Sequence, residues 1–598
     1  MESPPPVLLL TTWQKRLLWI TFLLVVFTRG YALSRSLWDW DEAQFAAAVD
    51  EYSVERHHPH PPGFPLYILA AKIARPFVPD EFRALQAVTF AAACALFPLA
   101  FLLAREMGFP YATSYAGALL FVFLPNVWFF GGTGFSDISG VAACLAAAFL
   151  LLRGRRDARS YLAGAAVLGV AAGIRSQALL IGFAPFAVAS WAQLRQSWRR
   201  VLAACAIVAA ITAASYAGAA LASESVGAYR VALQGVRDWV RKVDSFVSPT
   251  RPPLAELAGE FFVRPMAAGR RFPIVLSLLA ALGLCYGVVR SRRSVALAVA
   301  TFAPFALFAW LMLDRLSIHR YSTAYIFLWT LLAAHAAALF AMPFGRWSDF
   351  AQVAAMALLT ARSAWWTIPA LREVRRTDSP PYAAMQSIRQ KVPPGQPVWV
   401  DGSLAAHSGY LLADRDVRLI SQMTARTPAE IGSGSFFVTE GMMPAAMERF
   451  VRPRDRVWDI ARRRYFEAVI VHSSNVWAFG SGWYDQENDG ETAWRWMGTR
   501  SEAWLPLLRG RARLMLALDA ISGITPDVEV RLNDVVLARF RCGQQPVRQE
   551  WLVEPRGDGL NRLVITSSES VNLAKAGLAA DSRDLSLRLT AYAWRPSP

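Results

Sequence analysis

Residues 15–45 read KRLLWITFLLVVFTRGYALSRSLWDWDEAQF: a basic pair, an apolar run, and then a cluster of acids. A bilayer core takes about 20 apolar residues per helix. The run from Leu17 is long enough to cross, with Lys15 and Arg16 at its cytoplasmic end. A secretory signal closes on a small-residue cleavage site. None follows here, and Arg29 interrupts the run late, so the segment reads as a retained first span.

The same pattern recurs along the chain. Of 598 residues, 55% are hydrophobic and 18% charged, against about 25% charged in soluble domains. Apolar runs alternate with short basic clusters from Leu17 to Pro369, and after Leu371 the composition becomes that of a soluble protein. Eleven spans are expected, at about 16–33, 84–104, 111–130, 138–152, 160–174, 177–193, 200–222, 273–289, 295–313, 321–341 and 349–370. The expected fold class is a polytopic α-helical membrane protein with a C-terminal extracytoplasmic α/β unit and β-sandwich. Its domains divide as 1–370, 371–481 and 482–598.

Sidedness follows from the basic clusters. Arg105, RGRR at 153–156, RQSWRR at 195–200 and RSRR at 290–293 fall at alternate boundaries, and positive residues mark cytoplasmic loops. The WDWDE loop, GTGFSD (132–137), DRLSIHRY (314–321) and the tail are then extracytoplasmic, periplasmic in a multi-pass inner or plasma membrane protein. The loop 223–272 runs against this, with eight basic and five acidic residues. Its segment YRVALQGVRDWVRKV has helical spacing and fits a helix lying along the interface.

The net charge of +17 comes largely from arginines at span ends. No basic stripe interleaved with aromatics occurs in the soluble part, so nucleic acid is not an expected partner; membrane lipids are. Cys94, Cys144, Cys205 and Cys285 lie in apolar runs and only Cys542 in the tail, which therefore forms no internal disulfide. In the tail, PVWVDGS and FEAVIVHSS read as buried strands of an α/β unit. ARLMLALDAI, DVEVRLNDVVLARF, QEWLVEP, NRLVITSS and LSLRLTAYAW read as strands of a sandwich.

The first external loop, WDWDEAQFAAAVDEYSVERHHPHPPG (38–63), holds six acids and three histidines. Ionisable groups at a membrane boundary are costly unless they face water, a partner or a substrate. Asp41 with Gln44 fits a capping box opening a helix, which leaves Asp39 and Glu42 without a role. Prolines stiffen the segment that carries His57, His58 and His60. Asp39, His58 and His60 are candidates for supporting the loop around the acids. The histidine spacing matches no standard zinc site, and a divalent cation on carboxylates is the remaining metal option.

DEAQF after the first span, HPPG, a lone acid opening a later external loop, and Arg320-Tyr321 at a late span resemble, in that order, the GT-C membrane glycosyltransferases. The nearest branch is that of the protein O-mannosyltransferases and lipid A aminoarabinose transferases. The resemblance covers roughly residues 10–370. It implies transfer of a sugar from a polyprenyl-phosphate donor to a hydroxyl of a glycan, lipid or protein acceptor. Asp41-Glu42 occupies the place of the family's Asp-Glu pair, with Asp41 the favoured general base and Glu42 the second choice, or a metal or sugar ligand. Asp137 matches the family's second external acid, which with Asp41 is the candidate metal site for Mg or Mn; the other reading is an N-cap. Arg320 and Arg175 are candidates for gripping the donor phosphate, supported by His319 and Tyr321; the other reading is snorkelling to headgroups.

The inserted domain of the protein mannosyltransferases is not found. GWYDQENDGETAWRWMG (482–498) is similar instead to a segment near the end of some bacterial membrane glycosyltransferases. Its tryptophans suit either sugar stacking or a sandwich core. A transporter or flippase of lipid-linked saccharides, and a non-catalytic anchor for a carbohydrate-binding sandwich, are the alternative functions.

Overall fold

The computed structural model describes residues 10–243, 247–248, 251–266, 268–269, 271–312, 317–420, 428, 431, 435–439, 446–452, 456–461, 467–488, 492–556, 559–577 and 581–597. Asp314, Arg315 and Leu316 of DRLSIHRY lie outside them. The chain forms two compact units. One comprises Met1–Asp378 with Arg454–Arg464, the other Ser379–Pro453 with Tyr465–Pro598.

The first unit is helical. Its helices are α1 Thr12–Tyr31, α2 Trp40–Asp50, α3 Pro65–Ala74, α4 Glu81–Glu106, α5 Tyr111–Val122, α6 Pro125–Phe130, α7 Asp137–Arg153, α8 Ala158–Ile174 and α9 Leu179–Leu194. They continue with α10 Trp198–Ala222, α11 Val226–Val243, α12 Leu254–Phe262, α13 Phe272–Arg290, α14 Arg292–Met312, α15 Ile318–Tyr321, α16 Phe327–Ala341 and α17 Ser348–Arg376. Polar caps start several of them: Thr11 and Gln14 form a capping box on α1, and Asp80 accepts from the Arg83 amide on α4, each satisfying donors the helix leaves open.

Each of the eleven expected spans falls largely on helix, and length and hydropathy mark some of them as crossings. Among the described residues five stretches are long and apolar enough to cross a membrane: Glu81–Glu106, Trp198–Ala222, Phe272–Arg290, Arg292–Met312 and Phe327–Lys391. The others are charged, broken or shorter for local reasons. Lys15, Arg16 and Arg29 load α1 with charge, Pro125 splits α5 from α6, and α7, α8 and α9 are each under 18 residues. Arg29 is fully buried, and its guanidinium donates to the Val122 carbonyl at the end of α5, between the Phe123 and Trp128 rings. A cation at a helix C-terminus complements the exposed carbonyls there.

Small residues bring helices close. A Cβ on Gly283 of α13 would lie 1.9 Å from the Leu332 carbonyl oxygen of α16, and one on Gly164 of α8 would lie 2.8 Å from the Leu151 amide of α7.

The second unit opens with α18 Pro380–Lys391. Strands β1 Val398–Asp401, β2 Val417–Ile420, β3 Phe436–Thr439, β4 Glu448–Val451 and β5 Glu467–His472 form a sheet in the order β2-β1-β3-β5-β4. β1 is parallel to β2 and β3, and β5 is antiparallel to both its neighbours. From Ala478 onward the structure is antiparallel. Strands β6 Ala478–Phe479, β7 Trp483–Asn488, β8 Ala493–Met497, β9 Arg500–Leu505, β10 Ala512–Ala520 and β11 Asp527–Leu532 come first. They are followed by β12 Val535–Arg541, β13 Val547–Val553, β14 Asn561–Ser567, β15 Val571–Asn572, β16 Asp584–Leu585 and β17 Leu587–Pro596. Two five-stranded sheets, β13-β10-β17-β8-β7 and β12-β11-β14-β9-β6, enclose a common core that includes Leu514, Leu516, Val530, Ile565, Leu589 and Trp594. Alternation of apolar and polar residues produces this, because successive strand side chains face opposite ways. Asn533 and Asp534 turn β11 into β12 with positive φ at both, the conformation a two-residue hairpin needs. Of the tail's tryptophans, Trp477 and Trp594 belong to this core.

Candidate active site

The site forms where four separate stretches of the first unit meet. The capping box expected from Asp41 and Gln44 is shifted by two residues. Asp39 is the N-cap of α2, accepting from the Asp41 amide, and Glu42 is its N3 partner. Glu42 is fully buried. Its Oε2 accepts from the Trp38 and Asp39 amides (2.8 and 3.1 Å) and its Oε1 from the Gly134 amide (3.0 Å). Both carboxylate oxygens are thus engaged by backbone, and Glu42 ties α2 to the GTGFSD loop instead of standing open to a substrate. Tyr67 Oη and Thr89 Oγ1 hold the same loop by donating to the Gly134 and Phe135 carbonyls (2.8 and 3.0 Å).

With the cap supplied by Asp39, Asp41 projects from the first turn toward Arg320. Arg320 Nη1 lies 2.6 Å from Asp41 Oδ2, and Arg320 Nε lies 3.5 Å from Asp137 Oδ2. Arg175 Nη1 approaches the same Asp137 oxygen at 3.1 Å and donates to Ser136 Oγ at 2.9 Å. Asp137 is the first residue of α7 and is buried. The N-cap there is Ser136, so the capping role considered for Asp137 is not the one it plays. Arg175 is the C-cap residue of α8 and turns inward; Gly140, one turn along α7 from Asp137, leaves room for its methylenes. The Arg320 guanidinium also lies 4.5 Å from the Phe135 ring centroid and 5.2 Å from that of Tyr321, and Tyr321 lies 5.7 Å from Arg175. Two carboxylates and two guanidiniums thus alternate in one chain: Asp41, Arg320, Asp137, Arg175.

His60 closes the other side. Its Nδ1 lies 3.6 Å from Asp41 Oδ1 and 3.0 Å from Gln44 Oε1. Burial resists ionisation of Asp41, but the His60 ring and the Arg320 and Arg175 guanidiniums outweigh it and bring the carboxyl down to about 2. Burial, aided by the two guanidiniums, holds His60 below the ordinary histidine value despite the pull of Asp41. His58 stays outside the cluster. It exchanges two backbone hydrogen bonds with Ser53 and so closes the loop on which His60 sits. The His319 ring is buried beside Arg320, and its carbonyl accepts from Asn126 Nδ2 at 3.0 Å. Asn126, buried in an apolar run, also donates to Ser322 Oγ at 2.9 Å and so anchors the turn that carries Arg320. Its apolar surroundings gave no sequence signal for that role. Gln44 was legible only as a capping residue.

Asp137, Arg175 and Tyr321 line a narrow crevice together with Val141, Cys144, Ile181 and Phe305, from α7, α9 and α14. The divalent cation expected on Asp137 and Asp41 does not fit this donor set. The Arg320 guanidinium lies between the two carboxylates, and among the described residues no three His, Cys, Asp or Glu side chains group to hold a metal.

Residues 63–260 match a family model described as a domain of unknown function (DUF6311). No curated protein matches the chain. Among solved structures, the chain is similar to ArnT from Cupriavidus metallidurans in the apo state, with 13% identity over 77% of this chain and 98% of that one and a TM-score of 0.49. It is also similar to the same protein bound to undecaprenyl phosphate, with 12% identity over the same shares and the same TM-score. The Archaeoglobus fulgidus oligosaccharyltransferase AglB, in complex with an inhibitory peptide and a dolichol-phosphate, is similar at 12% identity over 72% of this chain and 70% of that one, with a TM-score of 0.44.

Proposed function

We propose that the protein is a membrane glycosyltransferase that moves a sugar from a polyprenyl-phosphate donor to a hydroxyl of a glycan, lipid or protein acceptor at the extracytoplasmic face. The observation that carries this reading is a pair of guanidiniums, Arg175 and Arg320, meeting at Asp137, with Arg175 also lining an apolar crevice. Arg175 and Arg320 suit a phosphate, and Val141, Cys144, Ile181 and Phe305 give the narrow crevice beside Arg175 an apolar wall for the first carbons attached to it. Guanidinium forks bind phosphate oxygens in a fixed geometry, and an apolar wall among membrane helices accepts a chain that water rejects.

In this reading the phosphate takes over part of Arg320 from Asp41. The acceptor hydroxyl attacks the sugar carbon, and the carbon–oxygen bond to phosphate breaks with its electron pair leaving on the phosphate oxygen. The hydroxyl proton passes to Asp41. The guanidiniums stabilise the charge that gathers on the leaving phosphate. Glu42 positions Asp41, and no step runs through a metal.

The test is to incubate the purified protein with a radiolabelled polyprenyl-phosphate sugar and an envelope extract as acceptor, and to measure label transfer. Wild type should transfer label and Asp41→Asn should lose it by about two to four orders of magnitude, while Asp41→Asn still inserts and folds. Full transfer by Asp41→Asn removes the proposed base. Binding of donor without any transfer by wild type would favour a carrier role.

A further inference from the structure

The segment between α10 and α12 takes no part in the charge cluster, yet it is fastened to the loop that carries His60. α10 is one of the stretches long enough to cross a bilayer, and most of its surface is exposed. Its end at Ala222 therefore lies at a membrane boundary, and α11 starts four residues later at Val226. At about 100° per residue, Arg230, Arg237 and Arg241 fall within about 40° of one another. The far side of the helix carries Ala232, Val236, Trp239 and Val240. The three arginines and Lys242 are exposed, with Asp238 the one acid on the helix, and Trp239 is 53% exposed.

The other end of that apolar arc is not free. Tyr229 is buried with Val54 and Ala219, against Tyr52 and Leu233, and its hydroxyl donates to the Pro62 carbonyl at 2.9 Å. Just before α11, the Glu224 amide donates to Glu55 Oε1 at 2.8 Å. Tyr52 Oη donates to the Gly63 carbonyl at 3.0 Å. The helix is thus tied to both halves of the loop Tyr52–Gly63.

We propose that α11 is a docking surface for anionic lipid headgroups, and that its seating on the bilayer holds the loop Tyr52–Gly63 in the position that brings His60 to Asp41. Charge selects the partner: an excess of three basic residues on α11 faces headgroup phosphates while Trp239 and its neighbours enter the acyl boundary. Tyr229 transmits the seating to Pro62, two residues from His60. The docking does not depend on the transfer reaction.

The test compares the full-length protein in nanodiscs of phosphatidylcholine alone and of phosphatidylcholine with phosphatidylglycerol, by hydrogen exchange and mass spectrometry. Amides of α11 and of Tyr52–Gly63 should exchange several-fold more slowly in the anionic discs, and raised salt should reduce that difference. The triple variant R230Q/R237Q/R241Q should lose the difference in both segments while β10 exchanges as in wild type. Tyr229→Phe should keep the response of α11 and lose that of the loop. Equal exchange in the two lipids, or a full response in the triple variant, overturns the docking. A loop that still responds in Tyr229→Phe overturns the coupling.

Discussion

Asp41 is a carboxylate whose environment contains opposing effects, and their balance decides its chemistry. Burial disfavours the charged form, while His60, Arg320 and Arg175 favour it strongly enough to lower its pKa to about 2. The proton-accepting form is therefore full at neutral pH, but a carboxylate so stabilised is a weak base until the guanidinium is drawn elsewhere. A donor phosphate at Arg320 does that, so base strength rises when the substrate to be attacked is in place. The sign of the pH effect follows. In wild type, Asp41 gives no loss of kcat/KM on acidification until the pH approaches about 2. In Arg320→Gln the cation is gone and burial is left less opposed, so the acid limb of the residual activity should move upward, toward or past the ordinary value of about 3.9. A pH–rate profile of kcat/KM checks this, and an unmoved limb in Arg320→Gln would separate Asp41 from Arg320 in the mechanism.

The helix α2 shows why the acids are dense there. Asp39 caps, Glu42 closes the box and reaches across to Gly134, and Asp41 is left to face Arg320. Removing the charge on Glu42 weakens three hydrogen bonds to backbone amides, and a bond to a charged group is worth about 1.5–3 kcal/mol. Glu42→Gln should lower thermal stability by an amount of that order and loosen the Gly132–Asp137 loop, with transfer reduced but not abolished. Thermal unfolding in detergent and the transfer assay read the two effects, and a stable but inactive Glu42→Gln would make Glu42 the chemical group. Between α13 and α16 the constraint is steric. Gly283→Ala would drive a methyl onto the Leu332 carbonyl, and overpacking of this kind costs about 1–3 kcal/mol, visible as a lower melting temperature. The sequence made the acids, the Arg-Tyr pair and the histidine loop legible, because charges at membrane boundaries stand out. It did not make their division of labour legible. Asp39 and Asp41 differ by two residues in one turn, and only the backbone path decides which of them caps.

For the whole chain, the apolar runs announced the helical unit, and among the described residues five stretches combine the length and hydropathy of a crossing. Pro125 and the basic residues of α1 interrupt what the average hydropathy joins. The alternating strands of the sandwich were legible one by one, since each carries its own period. A division of the tail near residue 481 was also expected; just before it, β6 at Ala478–Phe479 already pairs with β9 of the sandwich. After β5 the chain passes through Asn475, whose buried Oδ1 accepts the Trp594 amide of the last strand at 2.7 Å. Next along the chain, Val476 packs in the core of the α/β sheet and Trp477 in that of the sandwich, 4.2 Å from the Tyr592 ring centroid. The α/β sheet and the sandwich therefore share a seam, and they should open as one cooperative body. Denaturant titration with thiol labelling, read peptide by peptide, tests this. Cys542, buried in the sandwich core, reports one half, and Ser408→Cys, on the buried side of the helix Ala405–Leu411, reports the other. The two thiols should react at the same denaturant concentration. Asn475→Leu, which leaves a buried amide without its acceptor at about 1–3 kcal/mol, should shift both midpoints downward together. If only Cys542 shifts, the two sheets fold independently and the seam is a contact without consequence for stability.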